Sequence, residues 1–252
     1  MFVACSTLCF ARYPLDRALR IIGELEFSKV DVAIREQGPH LRPSEVAADI
    51  NLAAHRIRIG PSLTPGAFHV EIAATDPEEY QKQLRAICRL ARLSTVAVVT
   101  IPAAPTGTDL DVEVARLKRL SQLAHTEGVV LTCETRIGTL TENPDNAVAL
   151  CERVQGLGLT LDPSHYVAGP HEGKSYDQIF PYVRHVHLRD TAPGKFQVRV
   201  GQGVIEYGRI ISYLARYQYE RLLSVEIEDV TNGDFPMDQE VRKLKYLLES
   251  LI

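Results

Sequence analysis

The chain has 252 residues, of which 45% are hydrophobic and 24% are charged, with 28 basic against 32 acidic side chains. A chain of this length can bury a substantial core, so neither disulfides nor disorder is needed to explain its composition. The formal net charge of −4 gives no electrostatic signature of binding to nucleic acid or to an anionic membrane.

The cysteine pattern and the N-terminus bear on the compartment. The five cysteines are an odd number and show no CxxC or CxxH spacing, which argues against a disulfide framework and a structural zinc site. The first residues lack a charged leader region, and no apolar run approaches the roughly 20 residues that span a bilayer. We therefore expect a soluble, cytoplasmic protein.

Short apolar runs alternate with longer amphipathic segments along the whole chain. The predicted strands are 2–9, 29–34, 57–63, 95–101, 129–134, 158–162, 184–189 and 222–227. Continuous apolar runs are typical of parallel strands that are covered on both faces. An open doubly wound sheet is the competing fold, but the turn after the first strand has no GxGxxG motif. Eight strand–helix units in about 250 residues predict an α/β fold, a (β/α)₈ TIM barrel that forms a single domain over residues 1–252.

Ionisable residues follow four successive predicted strands. Strand 5 ends at Glu134, strand 6 runs into Asp162, strand 7 contains His187, and strand 8 reaches Glu226. In a TIM barrel the carboxyl ends of the strands carry the active site, so we expect these side chains to meet at the barrel mouth.

Three carboxylates and one imidazole form a hard, oxygen-rich donor set that suits Mn²⁺, Mg²⁺, Co²⁺ or Zn²⁺. A single carboxylate at a strand end is more often a solvated rim residue or a helix cap, and Asp162 before Pro163 could simply start a turn. Four such residues on four successive strands favour a metal site. Five further histidines fall in predicted loops or helices and are assigned no function: His40, His55, His69, His125 and His171.

The same segments resemble a known group of proteins. The residues that carry the resemblance are Glu134, the Asp-Pro-Ser-His run 162–165, the segment 186–190 and the segment 225–228. They are similar to the xylose isomerase-like TIM-barrel superfamily, which includes sugar isomerases and epimerases, inosose and dehydroshikimate dehydratases, and endonuclease IV.

The resemblance implies roles for individual residues. Glu134, Asp162, His187 and Glu226 would be the ligands of one divalent metal ion, with manganese favoured. Glu134 and Glu226 would also be the catalytic acid–base pair. His165, and Arg199 just before a Gly-x-Gly turn, would bind the substrate.

These roles imply a metal-dependent isomerase or epimerase of a small sugar or ketose, phosphorylated or not, which acts through a cis-enediolate. The alternative is a metal-dependent dehydratase of a keto-cyclitol or dehydroshikimate-type substrate, which needs the same ligands. A barrel that binds a sugar without catalysis would leave both glutamates unexplained. The expected partner is thus a small carbohydrate or keto-cyclitol, and segment 239–251 would suit either a barrel-covering helix or the interface of a homo-oligomer.

Some positions depart from the superfamily pattern. Endonuclease IV-like members need further histidines at strands 3 and 4 and an Asp-x-His motif after strand 7. Here strand 3 is predicted to end near 60–62, strand 4 ends at Ile101-Pro102, and segment 199–201 stands where Asp-x-His is expected. DNA repair therefore fits poorly. Arg136 replaces a histidine found in many relatives, and would either supply a cation for an acidic or phosphorylated substrate or pair with Glu142.

Overall fold

The computed structural model describes residues 1–58, 63–171, 173–229 and 236–252. Eight parallel strands follow one another around a closed barrel, and the first strand pairs with the last. The (β/α)₈ prediction is confirmed.

The strands are short and almost entirely buried. They are β1 (Phe2–Ser6), β2 (Lys29–Arg35), β3 (Thr64–Glu71), β4 (Val98–Pro102), β5 (Val130–Glu134), β6 (Gly158–Leu161), β7 (Val183–Leu188) and β8 (Leu222–Val225). Every strand except β3 lies within or close to its predicted range. Because all eight run parallel, their carboxyl ends open at one face of the barrel.

Helices surround the barrel in the described part of the chain. They are α1 (Leu15–Glu24), α2 (Pro43–Ala48), α3 (Ile50–Ile57), α4 (Pro77–Leu93), α5 (Leu110–Thr126), α6 (Pro144–Arg153), α7 (Pro163–Ala168), α8 (Tyr207–Arg216) and α9 (Met237–Glu249). Short 3₁₀ helices occupy Thr7–Phe10, Leu140–Glu142 and Asp177–Tyr182. Several helices begin with a side-chain cap, as where Asp76 accepts a hydrogen bond from the Glu79 amide at 2.8 Å. Among the described residues, no helix is long and apolar enough to cross a membrane.

The predicted third strand, 57–63, is wrong. Ile57 is the last residue of α3, residues 59–62 lie outside the described residues, and β3 begins only at Thr64. The true strand alternates between apolar and polar residues in Phe68-His69-Val70-Glu71, so it lacks the continuous apolar run used to find the other strands. This shift places His69 on a barrel strand instead of in a loop.

The barrel interior contains polar layers. Thr132 Oγ1 lies 3.0 Å from Thr100 Oγ1 and 2.7 Å from Thr160 Oγ1, which links β4, β5 and β6. On the other side, Asp31 Oδ2 lies 2.6 Å from His185 Nε2 and accepts a hydrogen bond from Ser224 Oγ at 3.2 Å. Because side chains alternate along a strand, the residues two positions further on form the next layer, at the barrel mouth.

Candidate active site

A compact group of donor atoms lies at the carboxyl end of the barrel. It consists of His69 on β3, Glu134 at the end of β5, His187 on β7, and Glu226 directly after β8. Their ligand atoms all lie within 4.8 Å of one another, and all four residues are buried. The strand ends therefore bring three of the four predicted metal ligands together with one histidine that was not predicted.

Both glutamates contact both imidazole rings. Glu134 reaches His187 Nδ1 with Oε1 at 2.9 Å and His69 Nε2 with Oε2 at 3.4 Å. Glu226 reaches His69 Nδ1 with Oε2 at 3.2 Å and His187 Nδ1 with Oε1 at 3.5 Å. The ring centroids are 4.7 Å apart. Each carboxylate thus faces the same pair of rings from a different strand.

The electrostatics of this group favour charged side chains in the absence of a metal. Burial alone would raise the pKa of Glu134, but His69 and His187 outweigh it and hold the pKa well below its usual range. Burial would likewise raise the pKa of Glu226, which the same two histidines lower. Although burial disfavours a charged imidazole, the carboxylates raise the pKa of His187 well above its ordinary value. Imidazolium charge therefore balances the acids.

Asp31 on β2 holds the other side of His187. Its Oδ2 lies 3.0 Å from His187 Nε2, while His187 Nδ1 faces Glu134. Asp31 is fully buried, and it was not among the predicted site residues. A carboxylate on the outer nitrogen of a metal-binding histidine fixes the ring orientation and tautomer.

Arg189 is a cation of the site that was not predicted either. It comes directly after β7 and is only 2% exposed. Its Nη2 donates to Asp162 Oδ2 at 2.8 Å and to Glu226 Oε1 at 3.2 Å, and its guanidinium lies 4.7 Å from the ring centroid of Phe196. Its Nε finds no hydrogen-bond partner among the described residues. Arg189 therefore bridges Asp162 and Glu226 of the donor group.

Asp162 and His165 belong to the start of α7. Asp162 Oδ1 accepts a hydrogen bond from the Ser164 amide at 2.9 Å and so caps the helix, while Oδ2 bonds Arg189. His165 Nδ1 accepts from the Ile137 amide at 3.1 Å, which leaves Nε2 as the protonated nitrogen of the neutral ring, 3.8 Å from Asp162 Oδ2. With Glu134 these two residues form a second group of adjacent donor atoms.

Arg199 lies on the loop after β7, and its side chain is exposed. Asp190 anchors the backbone of this loop, because its Oδ2 accepts hydrogen bonds from the amides of Gly201 at 2.7 Å and Gly203 at 3.0 Å. The predicted substrate-binding residue is thus carried on an anchored turn, outside the buried donor group.

Two arginines share one carboxylate beside the donor group. Arg35 and Glu71 are register partners at the ends of β2 and β3, and Arg35 Nη2 lies 3.6 Å from Glu71 Oε1. Arg136 Nη1 lies 2.5 Å from the same oxygen and 3.9 Å from Glu134 Oε2. Arg136 therefore pairs with Glu71 and not with Glu142, whose carboxylate accepts the Gly138 amide. Although burial raises the pKa of Glu71, the two guanidinium groups lower it overall.

Comparison with known proteins identifies the family. A family model described as a xylose isomerase-like TIM barrel matches residues 19–247. The chain belongs to the xylose isomerase-like TIM-barrel family. No curated protein matches the chain in sequence.

Several solved structures share this fold. One is the IolI protein with a bound zinc atom (TM-score 0.77, 15% identity, 100% of this chain and 98% of that chain). Another is 3-keto-D-glucoside 4-epimerase YcjR from E. coli (TM-score 0.74, 14% identity, 99% of each chain). A third is the probable 3-DHS dehydratase AsbF of Bacillus anthracis, involved in petrobactin synthesis (TM-score 0.72, 14% identity, 99% of each chain). At these identities the likeness establishes the shared fold and leaves the reaction open.

The donor chemistry of this family member fits a divalent metal. Carboxylate oxygens and imidazole nitrogens converge within bonding reach of one small ion, and Asp31 supplies the outer partner that a metal-binding histidine needs. His69 adds a nitrogen donor next to the predicted ligands. It also removes one of the three differences from an endonuclease IV-like pattern, because strand 3 does carry a histidine. The other two stand, since β4 ends at Pro102 and segment 199–201 is not Asp-x-His.

Proposed function

We propose that this protein is a divalent-metal-dependent isomerase or epimerase of a small sugar or ketose. The observation that carries the proposal is the placement of Glu134 and Glu226 on different strands, facing the same buried donor group within hydrogen-bonding distance of its two imidazoles. Two carboxylates around one reacting centre are what proton removal and return next to a carbonyl require.

The proposed metal ligands are Glu134, Asp162, His187 and Glu226, with manganese favoured and His69 as a further donor. A divalent ion held by these residues would supply Lewis-acid chemistry at the substrate carbonyl. Arg189 contacts three carboxylates, those of Asp162, Glu226 and Glu228, and it must release the Asp162 contact if Asp162 Oδ2 is to bind the ion.

Proton transfer and substrate binding are assigned to individual side chains. The lowered pKa of Glu134 keeps it ionised near neutral pH, which is the form that accepts a proton from carbon. Glu226, which follows a different strand from Glu134, returns a proton to the other face of that carbon. The Nε2–H of His165 is placed to hydrogen-bond a substrate oxygen, and Arg199 closes over the substrate from its exposed loop.

The test is proton NMR in heavy water with the Mn²⁺-loaded enzyme and a panel of ketoses, ketose phosphates and keto-cyclitols. Deuterium should enter the carbon next to the carbonyl of one substrate class, and Glu134→Gln and Glu226→Gln should each abolish the exchange. Glu24→Gln, an exposed residue at the end of α1 on the far side of the barrel, is the matched control and should exchange normally.

Two results would contradict the proposed function. Full turnover after chelation, with metal absence confirmed by elemental analysis, would remove the metal from the reaction. A conjugated enone that accumulates from a keto-cyclitol, with no epimer formed from any ketose, would identify a dehydratase that uses the same residues.

A further inference from the structure

The charged residues at the rim of the donor group are not needed for proton transfer itself. Arg35, Glu71 and Arg136 lie at the ends of β2 and β3 and just after β5. Glu71 and Arg136 line a cavity of about 510 Å³ between the loops that follow β2, β3, β4 and β5. Their side chains keep roughly a third of their surface, 32% and 34%, open to solvent. A small molecule can therefore reach them from outside.

The cluster of Arg35, Arg136 and Glu71 has two cations and only one carboxylate. Arg35 and Arg136 both approach a single oxygen of Glu71, at 3.6 and 2.5 Å. Arg35 is poorly satisfied: its Nε is buried with no hydrogen-bond partner among the described residues, and its Nη2 meets the His69 ring only at 3.4 Å or more. Each guanidinium group has five N–H donors, so one carboxylate cannot accept hydrogen bonds from all the donors of two such groups.

The guanidinium groups of Arg35, Arg136 and Arg189 face the carboxylates of Glu71, Glu134, Asp162 and Glu226, and Arg189 also contacts Glu228 Oε1 at 3.4 Å. With neutral imidazoles, these five carboxylates would balance the three guanidinium groups and a divalent ion. Arg35 and Arg136 would still share the single carboxylate of Glu71. Asp31 lies one layer deeper, enclosed by His185, His187 and Ser224.

We propose that Arg35, Glu71 and Arg136 form an anion subsite, and that the substrate carries a carboxylate or phosphate group that Arg136 binds. This inference rests on the proposed function for the position of the reacting carbon. When the anion binds, Arg136 turns from Glu71 to the anion, and Arg35 keeps Glu71 paired, so no charge is left without a partner. Guanidinium is suited to this exchange because it binds either anion through two parallel N–H groups.

The subsite lies beside the chemistry. Arg136 Nη1 is 3.9 Å from Glu134 Oε2, so an anion held by Arg136 belongs to a molecule whose next carbons reach the proposed base. The backbone of Arg136 is fixed, because its amide donates to Thr141 Oγ1 at 3.3 Å and its carbonyl accepts from Thr139 Oγ1 at 2.7 Å. The guanidinium is thus presented from an anchored loop.

The test uses saturation-transfer NMR titrations of the Mg²⁺-loaded protein with methylphosphonate, acetate and neutral acetamide. One of the two anions should bind more tightly than acetamide by about tenfold, the value expected for one charge-assisted contact. A preference for methylphosphonate identifies a phosphorylated substrate, and a preference for acetate identifies a carboxylate.

The variants separate a binding role from a structural ion pair. Arg136→Gln should weaken anion binding about tenfold, whereas Glu71→Gln should tighten it because the variant frees Arg136. Arg92→Gln is the matched control. Arg92 pairs with Glu127 at 3.0 Å at the carboxyl end of α4, away from the barrel mouth, and anion binding should be unchanged. Thermal unfolding confirms that each variant is folded.

Three results would overturn the subsite: no anion preferred over acetamide, equal weakening by Glu71→Gln and Arg136→Gln, or anion binding that survives Arg136→Gln. The two proposals fail separately. Anion binding without deuterium exchange in any substrate would overturn the proposed reaction only, and exchange confined to neutral ketoses would overturn the subsite only.

Discussion

Asp31 Oδ2 lies 3.0 Å from Nε2 of His187, on the side of the ring that faces away from Glu134. This contact joins the deeper polar layer of the barrel to the donor group at its mouth. It leaves Nδ1 as the nitrogen that faces the proposed metal. The orientation of one proposed ligand is therefore set by a residue on β2, on the other side of the barrel interior.

Replacing Asp31 should weaken metal binding. Asp31→Asn keeps the shape of the side chain but removes the charge that holds His187, so we expect the affinity for Mn²⁺ to fall about 10- to 100-fold. The measurement is competition with a fluorescent chelator. Ser224→Ala is the control, because it removes another partner of Asp31, at 3.2 Å, and leaves the Asp31–His187 hydrogen bond in place. Equal losses in both variants would show that the whole polar layer, and not the Asp31–His187 contact, supports the site.

The sequence predicted the parts of the site that follow continuous apolar strands. Glu134 and His187 end or lie in such runs, and the two-residue alternation of a strand was enough to direct them to the barrel mouth. His69 was missed because its strand alternates Phe68 and Val70 with polar residues, so that no apolar run marked it. The alternation itself was the available signal.

Buried charges were harder to predict. Nothing local indicates that Arg189 is 2% exposed, since its partners Asp162 and Glu226 are 27 and 37 residues away in sequence. Charged residues are almost never fully buried unless they are paired, and that pairing exists only after the barrel closes. The same holds for Asp31, whose contacts with β7 span more than 150 residues.

Arg189 should stabilise the metal-free protein. Arg189→Met leaves Asp162 and Glu226 as buried carboxylates without their cation, which should lower the free energy of unfolding by about 3–5 kcal/mol. Added Mn²⁺ should restore more stability in the variant than it adds to the wild type. Urea unfolding with and without chelator measures both effects.

The control for Arg189 is a surface pair. Arg20→Met removes an exposed contact with Asp16 at 3.4 Å and should cost less than about 1 kcal/mol, with no dependence on metal. A metal response of Arg189→Met equal to that of the wild type would mean that Arg189 does not share carboxylates with the ion.

Gly203 should be intolerant of a side chain. A Cβ atom there would lie 2.0 Å from Asp190 Oδ1 and 2.5 Å from the Thr191 carbonyl oxygen, so the loop that carries Arg199 would have to shift. We expect Gly203→Ala to destabilise the protein by about 1–3 kcal/mol and to speed amide exchange at Gly201. Hydrogen exchange followed by mass spectrometry measures the local effect.

The matched control lies in a helix. A methyl group added at Gly23 in α1 would meet no atom within 4 Å beyond its chain neighbours and the backbone of its own helix, so Gly23→Ala should be neutral or stabilising. Unchanged exchange in the loop of Gly203→Ala would show that the turn absorbs the methyl group without losing the Asp190 contacts.

His40 should make stability depend on pH below neutrality. Burial, assisted by the charges of Arg56 and Arg35, lowers the pKa of His40 from 6.5 to about 4. The folded state therefore keeps the ring neutral while the unfolded state takes up a proton below pH 6.5, so stability is lost as pH falls from 6.5 toward 4. Between pH 7 and pH 5 this amounts to about 2 kcal/mol, and His40→Phe should remove that part of the slope.

Comparing the pH dependence of the unfolding free energy in the two proteins separates the effect of His40 from that of the buried carboxylates. Buried carboxylates with lowered pKa, such as Glu134 and Glu226, also lose their stabilising effect as pH falls, but they do so equally in both proteins. Urea unfolding at pH 7 and pH 5 gives the two slopes, and His125→Phe, an exposed position on α5, should keep the wild-type slope. If the free energy of unfolding falls equally with pH in the wild type and in His40→Phe, His40 takes up its proton in the folded protein, through an opening of the loop after β2.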